Sequence, residues 1–286
     1  MNALLPGHPR LYCCVTTLDV EARPEAGHDG EMFDALFASL AAIAPTELLL
    51  IAAMAMFASM LGGIAGYGTG ALMPLVLVPI LGPEPVVPII AISALFNNTW
   101  RALAFKHLID WRRALLVAAL ATPPCVLSAY GYTLLTGKGA AIVIGAMLML
   151  IVPLRYLFRR YVKVLDDKGL AVGAVIYGAA VGGTVGAGVI LLSILMAAGL
   201  QGAAVVATDA VISMIVTAVR MAVFGFSGVI DARVMAVALL IGTVALPGAF
   251  LAKAIVARMS LTVHTAILDL IVLFGGAVMI GGALVR

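Results

Sequence analysis

The sequence predicts an all-α polytopic membrane protein, built from two inverted repeats of about five hydrophobic segments each. Three observations lead to this fold class: the composition, the length of the apolar segments, and a glycine motif that occurs twice. Of the 286 residues, 64% are hydrophobic and 11% are charged, and the mean hydropathy is +1.17. Soluble domains carry about 25% charged residues, so the bilayer is the solvent that this composition suits.

The first copy of the glycine motif spans Gly62–Gly70 and the second spans Gly182–Gly188. They read GGIAGYGTG and GGTVGAG, and four glycines of the first copy recur 120 positions further along the chain. Internal repeats of this kind decide the architecture of a chain. We interpret them as a duplication, with a glycine-rich break at the same place in each half.

The N-terminal segment, residues 1–44, differs in composition from the rest of the chain. It has no basic region followed by an apolar core, so it does not read as a signal peptide. We expect it to be mostly disordered, unless translation starts at Met32 and residues 1–31 are not made. Its acidic residues are Asp19, Glu21, Glu25, Asp29, Glu31 and Asp34.

Ten apolar segments follow, five in repeat 1 (residues 45–165) and five in repeat 2 (residues 166–286). A helical crossing needs about 20 residues, which the last three segments of each repeat provide. The first two segments of each repeat are shorter, and form either two short crossings, a re-entrant hairpin or one broken helix. The whole chain would then have eight to ten crossings. The segments are 45–61, 67–81, 86–105, 112–135 and 139–158, then 168–184, 187–200, 203–225, 233–256 and 262–284.

The basic residues of the loops predict that the two repeats have opposite orientations. Cytoplasmic loops are enriched in Lys and Arg. In repeat 1 the loop after the third segment is more basic than the next one, and in repeat 2 this order is reversed. The predicted cytoplasmic residues are Lys106, Arg112, Arg113, Arg155, Arg159, Arg160, Lys163, Lys168, Lys253 and Arg258, and the outer ones are Lys138, Arg233 and Arg286.

Irregular backbone at membrane depth has to be buried in protein or line a cavity. Broken helices in inverted repeats present their N-terminal N–H groups to anionic substrates near the midplane. We therefore predict two facing cradles for an anion, formed by Gly66, Gly68, Gly70, Gly186 and Gly188.

The alternative role of these glycines is close helix packing. Glycines four residues apart allow two helix backbones to approach each other. This spacing occurs in each repeat, at positions 62, 66 and 70 and at positions 178, 182 and 186.

Further repeated features follow the glycine motif in each half. An Arg lies near the end of the third segment, and an Ile-Asp step comes next, at Ile109-Asp110 and Ile230-Asp231. With these features, residues 46–286 resemble the TauE/SafE sulfite-exporter-like permeases of the 4-toluene sulfonate uptake permease-like superfamily. The resemblance implies transport of sulfite, sulfoacetate or a related sulfur-containing organic acid, without fixing the substrate.

Polar residues within the apolar segments are the remaining candidates for substrate binding. Arg101 and Arg220 occupy matching positions in the two repeats, and the guanidinium fork suits an oxyanion. Asn97, Asn98 and Thr217 lie one turn or less before them and would add amide and hydroxyl groups. The alternatives are snorkelling to the interface or an ion pair for the arginines, and interhelical hydrogen bonds for the amides.

Asp209 and Asp269 are the acidic candidates for proton coupling. Each lies about two turns into an apolar segment. A charge in such a segment is costly, so its presence there indicates a functional role. Either carboxyl can take up a proton if burial stabilises its neutral form. Either can instead pair with a basic residue, for which Arg220 and Arg258 are the candidates.

The function that these features predict is a secondary transporter, a permease or exporter, of a small anion. Alternating access would occur around a site at the interface of the two repeats, in the bacterial inner membrane. The expected partners are the anionic substrate, the lipid bilayer, H⁺ or another coupling ion, and a second copy of the chain, with no nucleic acid.

Other functions fit the sequence less well. A channel or a non-transporting membrane scaffold is the alternative. The sequence contains no nucleophile–base pair, so we do not expect an enzyme. Cys13, Cys14 and Cys125 lack metal-ligand spacing, and neither a metal nor a cofactor is expected.

Overall fold

The computed structural model describes residues 28–65, 68–161, 165–256 and 261–285. Within these ranges the chain forms eleven α-helices, one short 3-10 helix at Lys106–Leu108, and no strand, which confirms the predicted all-α class. The helices are α1 (His28–Ala41), α2 (Pro45–Ala65), α3 (Gly68–Leu81), α4 (Val86–Ala104), α5 (Trp111–Thr133), α6 (Gly137–Tyr161), α7 (Asp167–Gly183), α8 (Gly188–Ala197), α9 (Ala203–Phe226), α10 (Ala232–Val256) and α11 (Leu261–Val285).

Four of the described helices are long and apolar enough to cross a membrane: α4, α5, α6 and α9. Shorter apolar stretches lie in α3, α8, α10 and α11, and α1 and α2 form an apolar pair bent by 99°. Large apolar side chains such as Leu127, Phe226 and Phe274 are more than two-thirds exposed. Such exposure is favourable in lipid and costly in water. The chain is therefore an integral, multi-pass membrane protein.

Helix α1 occupies part of the segment that we expected to be disordered, and for residues 28–41 that expectation does not hold. The helix packs against α10, and Leu40 contacts the hydrophobic core. The acidic composition concealed the apolar residues Phe33, Phe37 and Leu40, which recur at the spacing of one helix face. Residues 1–27 lie outside the described part of the chain.

The helix contacts follow a pseudo-two-fold pattern that exchanges α2–α6 with α7–α11. The pair α2–α10 matches α7–α5, α4–α10 matches α9–α5, and α3–α11 matches α8–α6. The pairs α4–α9 and α6–α11 match themselves. Both self-matching pairs run antiparallel: Arg101, near the end of α4, contacts Asp209, early in α9, and Gly145, early in α6, lies against Gly276, late in α11. Antiparallel equivalent helices are what inverted repeats require.

Each Ile-Asp step begins the fourth helix of its repeat. Asp110 is the N-cap of α5 and accepts the backbone N–H of Arg113 at 3.0 Å. Asp231 accepts the backbone N–H of Val234 at 2.7 Å at the start of α10. The bond from Arg113 lowers the pKa of Asp110, because it stabilises the charged carboxylate.

Gly178 and Gly182 allow α7 to pack closely on α5. A Cβ atom added to Gly178 would overlap the carbonyl oxygen of Ala121, and one added to Gly182 would overlap the Oγ of Ser128. The packing interpretation is therefore right for these two positions.

We predict that Gly178→Ala destabilises the protein by about 1–3 kcal/mol, the usual effect of overpacking, because the new methyl group meets backbone that cannot move aside. Thermal unfolding of the purified protein in detergent measures the effect. Gly131→Ala on α5 is the matched control, since a Cβ there meets nothing within 4 Å. Equal unfolding temperatures for the two variants would contradict the packing role.

Candidate functional site

The N-termini of α3 and α8 meet inside the bundle. Helix α3 begins at Gly68 and helix α8 at Gly188. A Cβ on Gly70 would lie 2.9 Å from the backbone nitrogen of Gly186 and 3.1 Å from its Cα, so only glycine permits this contact. Gly186 has φ +81°, a left-handed conformation that glycine adopts without strain. Gly66 lies outside the described residues.

A polar cavity of about 90 Å³, here called the central slot, lies where these helix ends meet α4, α7 and α9. A water molecule occupies about 30 Å³ of the liquid, so the slot has room for a few waters or one small oxyanion. The slot is lined by nine predicted site residues: Gly70, Asn97, Asn98, Arg101, Gly186, Gly188, Asp209, Thr217 and Arg220.

The two arginines lie at opposite ends of the slot. Helices α4 and α9 run antiparallel along it, with Arg101 beside Asp209 at one end. Arg220 lies eleven positions after Asp209 on α9, which corresponds to a rise of about 16 Å along the helix axis. The Arg101 end is the one next to the basic loop after α4, where the backbone N–H of Asp110 donates to the hydroxyl of Thr208, and it is therefore the end predicted to be cytoplasmic.

Arg101 is held in an ion pair that joins the two repeats. Its Nη2 lies 2.9 Å from Oδ2 of Asp209, and its Nη1 donates to Oδ1 of Asn98 at 3.1 Å. The Asp209 side chain is 3% exposed and the Arg101 side chain 22%. Asp209 thus pairs with Arg101, which was not among the two candidate partners, Arg220 and Arg258, that the sequence suggested for its alternative role. The second carboxylate oxygen of Asp209, Oδ1, has no hydrogen-bond partner among the described residues.

Arg220 is 4% exposed and bonds to the C-terminal end of α7. Its Nη1 donates to the carbonyl oxygens of Val181 and Thr184, the latter at 3.1 Å. These carbonyls belong to the C-terminal end of a helix. Backbone acceptors there lack intrahelical donors, and the helix dipole places a partial negative charge at this end. The Nε of Arg220 has no partner in the described part of the chain, and no described carboxylate forms a salt bridge with this residue.

The repeat explains why Arg220 lacks the acidic partner that Arg101 has. Arg101 and Arg220 are related by an offset of 119 residues, and the same offset relates Ile90 to Asp209. Ile90 lines the slot at the position equivalent to Asp209. An isoleucine therefore stands where a symmetric protein would place a second carboxylate.

Asp269 does not line the central slot. It lies on α11, where its Oδ2 accepts the hydroxyl of Tyr156 on α6 at 3.2 Å. The two proton-coupling candidates are thus separated by the fold, and Asp209 is the one in contact with the predicted anion site.

Two polar residues of the slot were missed in the sequence. Tyr177 on α7 is fully buried, and its hydroxyl lies 3.5 Å from Oγ of Ser213 on α9. Ser213 lies midway between Asp209 and Thr217 at a spacing of four residues, which places all three on one helix face. That spacing could have identified Ser213.

A larger cavity, of about 840 Å³, lies between α3, α6 and α11. Apart from Lys138 its lining side chains are apolar, for example Leu75, Phe274 and Val278, and none of the predicted site residues lines it. Of these two cavities, the smaller central slot is therefore the polar one.

The fold and the slot define a multi-pass membrane protein with a buried cationic site between two inverted repeats. The family model described as "Sulfite exporter TauE/SafE" matches residues 51–279, which include both glycine motifs and every residue of the slot. The chain belongs to this family of membrane transporters. No curated protein and no solved structure matches it.

We predict that Arg101→Gln destabilises the protein by about 3 kcal/mol or more, because removing one partner of a buried pair leaves the other charge uncompensated. The double variant Arg101→Gln/Asp209→Asn should recover part of this loss. Thermal unfolding in detergent, read as a double-mutant cycle, measures the coupling.

Arg112→Gln is the control for this cycle. Arg112 pairs with Asp167 at 3.4 Å, but the two side chains are 86% and 76% exposed. Such a pair contributes about 0–1 kcal/mol. If Arg101→Gln loses no more stability than Arg112→Gln, the buried ion pair does not stabilise the contact between the repeats.

Proposed function

We propose that this protein is a secondary transporter of a small anion, sulfite or a sulfur-containing organic acid, in the bacterial inner membrane. The substrate would bind in the central slot. The observation that carries the proposal is Arg220, a buried cation with an unpartnered Nε and no carboxylate partner among the described residues, lining a cavity where two helix N-termini meet.

The slot offers the kinds of donor that recognise an oxyanion. The first N–H groups of α3 and α8 lack intrahelical acceptors and lie at the positive ends of the helix dipoles. Arg220 adds a guanidinium N–H in a fixed plane. The amides of Asn97 and Asn98 and the hydroxyl of Thr217 line the same space, and can orient an anion with neutral hydrogen bonds.

The contacts between the repeats suit alternating access. Repeat 1 contributes α3 and α4 to the slot, and repeat 2 contributes α7, α8 and α9. The ion pair between Arg101 and Asp209 spans the two repeats at the predicted cytoplasmic end. We propose that separation of this pair opens the slot to the cytoplasm, and that rocking of the repeats opens the other end near Arg220.

Asp209 is the acidic residue through which H⁺ would couple to the anion. Its carboxylate lines the slot, and one of its oxygens has no partner in the described residues. A proton on this group would weaken its attraction to Arg101. Protonation and opening of the cytoplasmic end would then be linked.

We predict that the protein, reconstituted in liposomes, takes up labelled sulfite or methanesulfonate, and that an imposed pH gradient changes the rate. Arg220→Gln should lower uptake by about tenfold or more, because an anion within the bilayer would lose its countercharge. The exposed residue Arg112 provides the control, and Arg112→Gln should transport like the wild type. Rates are compared per amount of monodisperse protein, so that a folding defect is not read as a transport defect.

Each outcome of this assay decides between the functions considered. Uptake that does not respond to the gradient and shows no counterflow exchange would favour a channel. Absence of uptake of both anions would favour a membrane scaffold. Equal uptake by Arg220→Gln and the wild type would remove the central slot as the substrate site.

A further inference from the structure

The described side chains that line the central slot have one more positive charge than negative. Arg101 and Asp209 form an ion pair at 2.9 Å and offset each other. Arg220 is the remaining charged side chain in the described lining. Tyr177, the other titratable group there, is a hydroxyl in contact with Ser213. With Asp209 ionised, the slot therefore lacks one negative charge.

We propose that the central slot selects monoanions over dianions, so that its substrates are oxyanions with a single charge, such as a sulfonate or hydrogensulfite. This inference rests on the proposed anion transport and narrows its substrate class. The juxtaposition that supports it is a paired arginine at one end of the slot and an unpaired arginine at the other.

Charge must be balanced inside the bilayer. An uncompensated charge at membrane depth is costly, and buried charges pair with one another for that reason. A monoanion beside Arg220 brings the slot to neutrality. A dianion would leave a net negative charge, and it would also lie in a cavity that contains the Asp209 carboxylate.

Arg220, the cation without a carboxylate partner among the described residues, lines the slot together with the residues at the start of α8. Arg220 is 4% exposed, and its Nη1 bonds to the carbonyl of Thr184, four residues before α8 begins at Gly188. This bond holds the guanidinium close to the start of α8, while its Nε is left without a partner in the described residues. In the proposed complex, the Nε and the first N–H groups of α8 would bind oxygens of one anion.

A difference between the two repeats sets the proposed selectivity. Position 90 in repeat 1 is Ile, and the equivalent position 209 in repeat 2 is Asp. Two acids would have neutralised both arginines and left no site for an anion. Two apolar residues would have left two cations, which a dianion would neutralise.

The test compares methanesulfonate, a permanent monoanion, with sulfate, a dianion of similar size. Their binding to the purified full-length protein at neutral pH is measured by isothermal titration calorimetry. The wild type should bind methanesulfonate about tenfold or more tightly than sulfate, since excess charge within the bilayer is costly. Wild-type binding of both anions with equal affinity would overturn the selectivity alone. Failure of the wild type to bind either anion would overturn the proposed function as well.

Variants of the ion pair test the cause of the selectivity. Asp209→Asn adds one net positive charge and should shift the affinity ratio toward sulfate by about tenfold or more. The double variant Arg101→Gln/Asp209→Asn returns the slot to one positive charge and should restore the preference for methanesulfonate. Arg101→Gln, which leaves the slot neutral, should weaken methanesulfonate binding by a similar factor.

The variant set also separates charge from folding. Each protein is first required to elute as a single species and to unfold cooperatively. If Asp209→Asn does not fold, the double variant and Arg101→Gln still test the charge balance. An affinity ratio that is the same in the wild type, the folded single variants and the double variant would overturn the proposal.

Discussion

Two helices that begin inside the membrane-protein bundle are the constraint on which the rest of this structure depends. Lipid provides no hydrogen bonds, so every backbone group at such a break needs a protein partner or a polar cavity. The N-termini of α3 and α8 solve this by meeting at Gly70 and Gly186 around a polar slot. Arg220 satisfies carbonyl groups at the end of α7. A cavity rich in hydrogen-bond donors follows from the break itself, and we propose that this cavity is the substrate site of the transporter.

The two repeats contribute similar half-sites to the slot, but the two half-sites differ in their chemistry. Arg101 and Arg220 occupy equivalent positions, yet the first pairs with a carboxylate from the opposite repeat and the second with backbone carbonyls. The difference traces to one pair of equivalent positions, Ile90 and Asp209. This difference makes the two ends of the slot unlike. The ion pair lies at the predicted cytoplasmic end, and the guanidinium without a carboxylate partner among the described residues lies at the other end. In a transporter these two ends would carry out different steps of the cycle.

The sequence predicted most of this architecture because its strongest signals were local or repeated. All ten segments from residue 45 onward became helices with ends within a few residues of those predicted, since apolar length and glycine breaks determine them. The pairing of Asp209 with Arg101 could not be predicted, because it depends on how far α4 and α9 slide past each other. Helix α1 was missed because charge dominated the composition of its segment, and Asp269 was grouped with Asp209 because segment position alone does not show which helix face meets the slot.

We propose that Arg220 and the two helix N-termini form one anion site. The most direct measurement is an experimental structure of the protein with hydrogenselenite, whose selenium can be located by anomalous scattering. We expect a selenium site in the central slot, with an oxygen within hydrogen-bond distance of the Nε of Arg220 and of an N–H in the first turn of α8. Selenium found at Arg112 and Arg113, in the first turn of α5, with an empty slot, would contradict the proposed site.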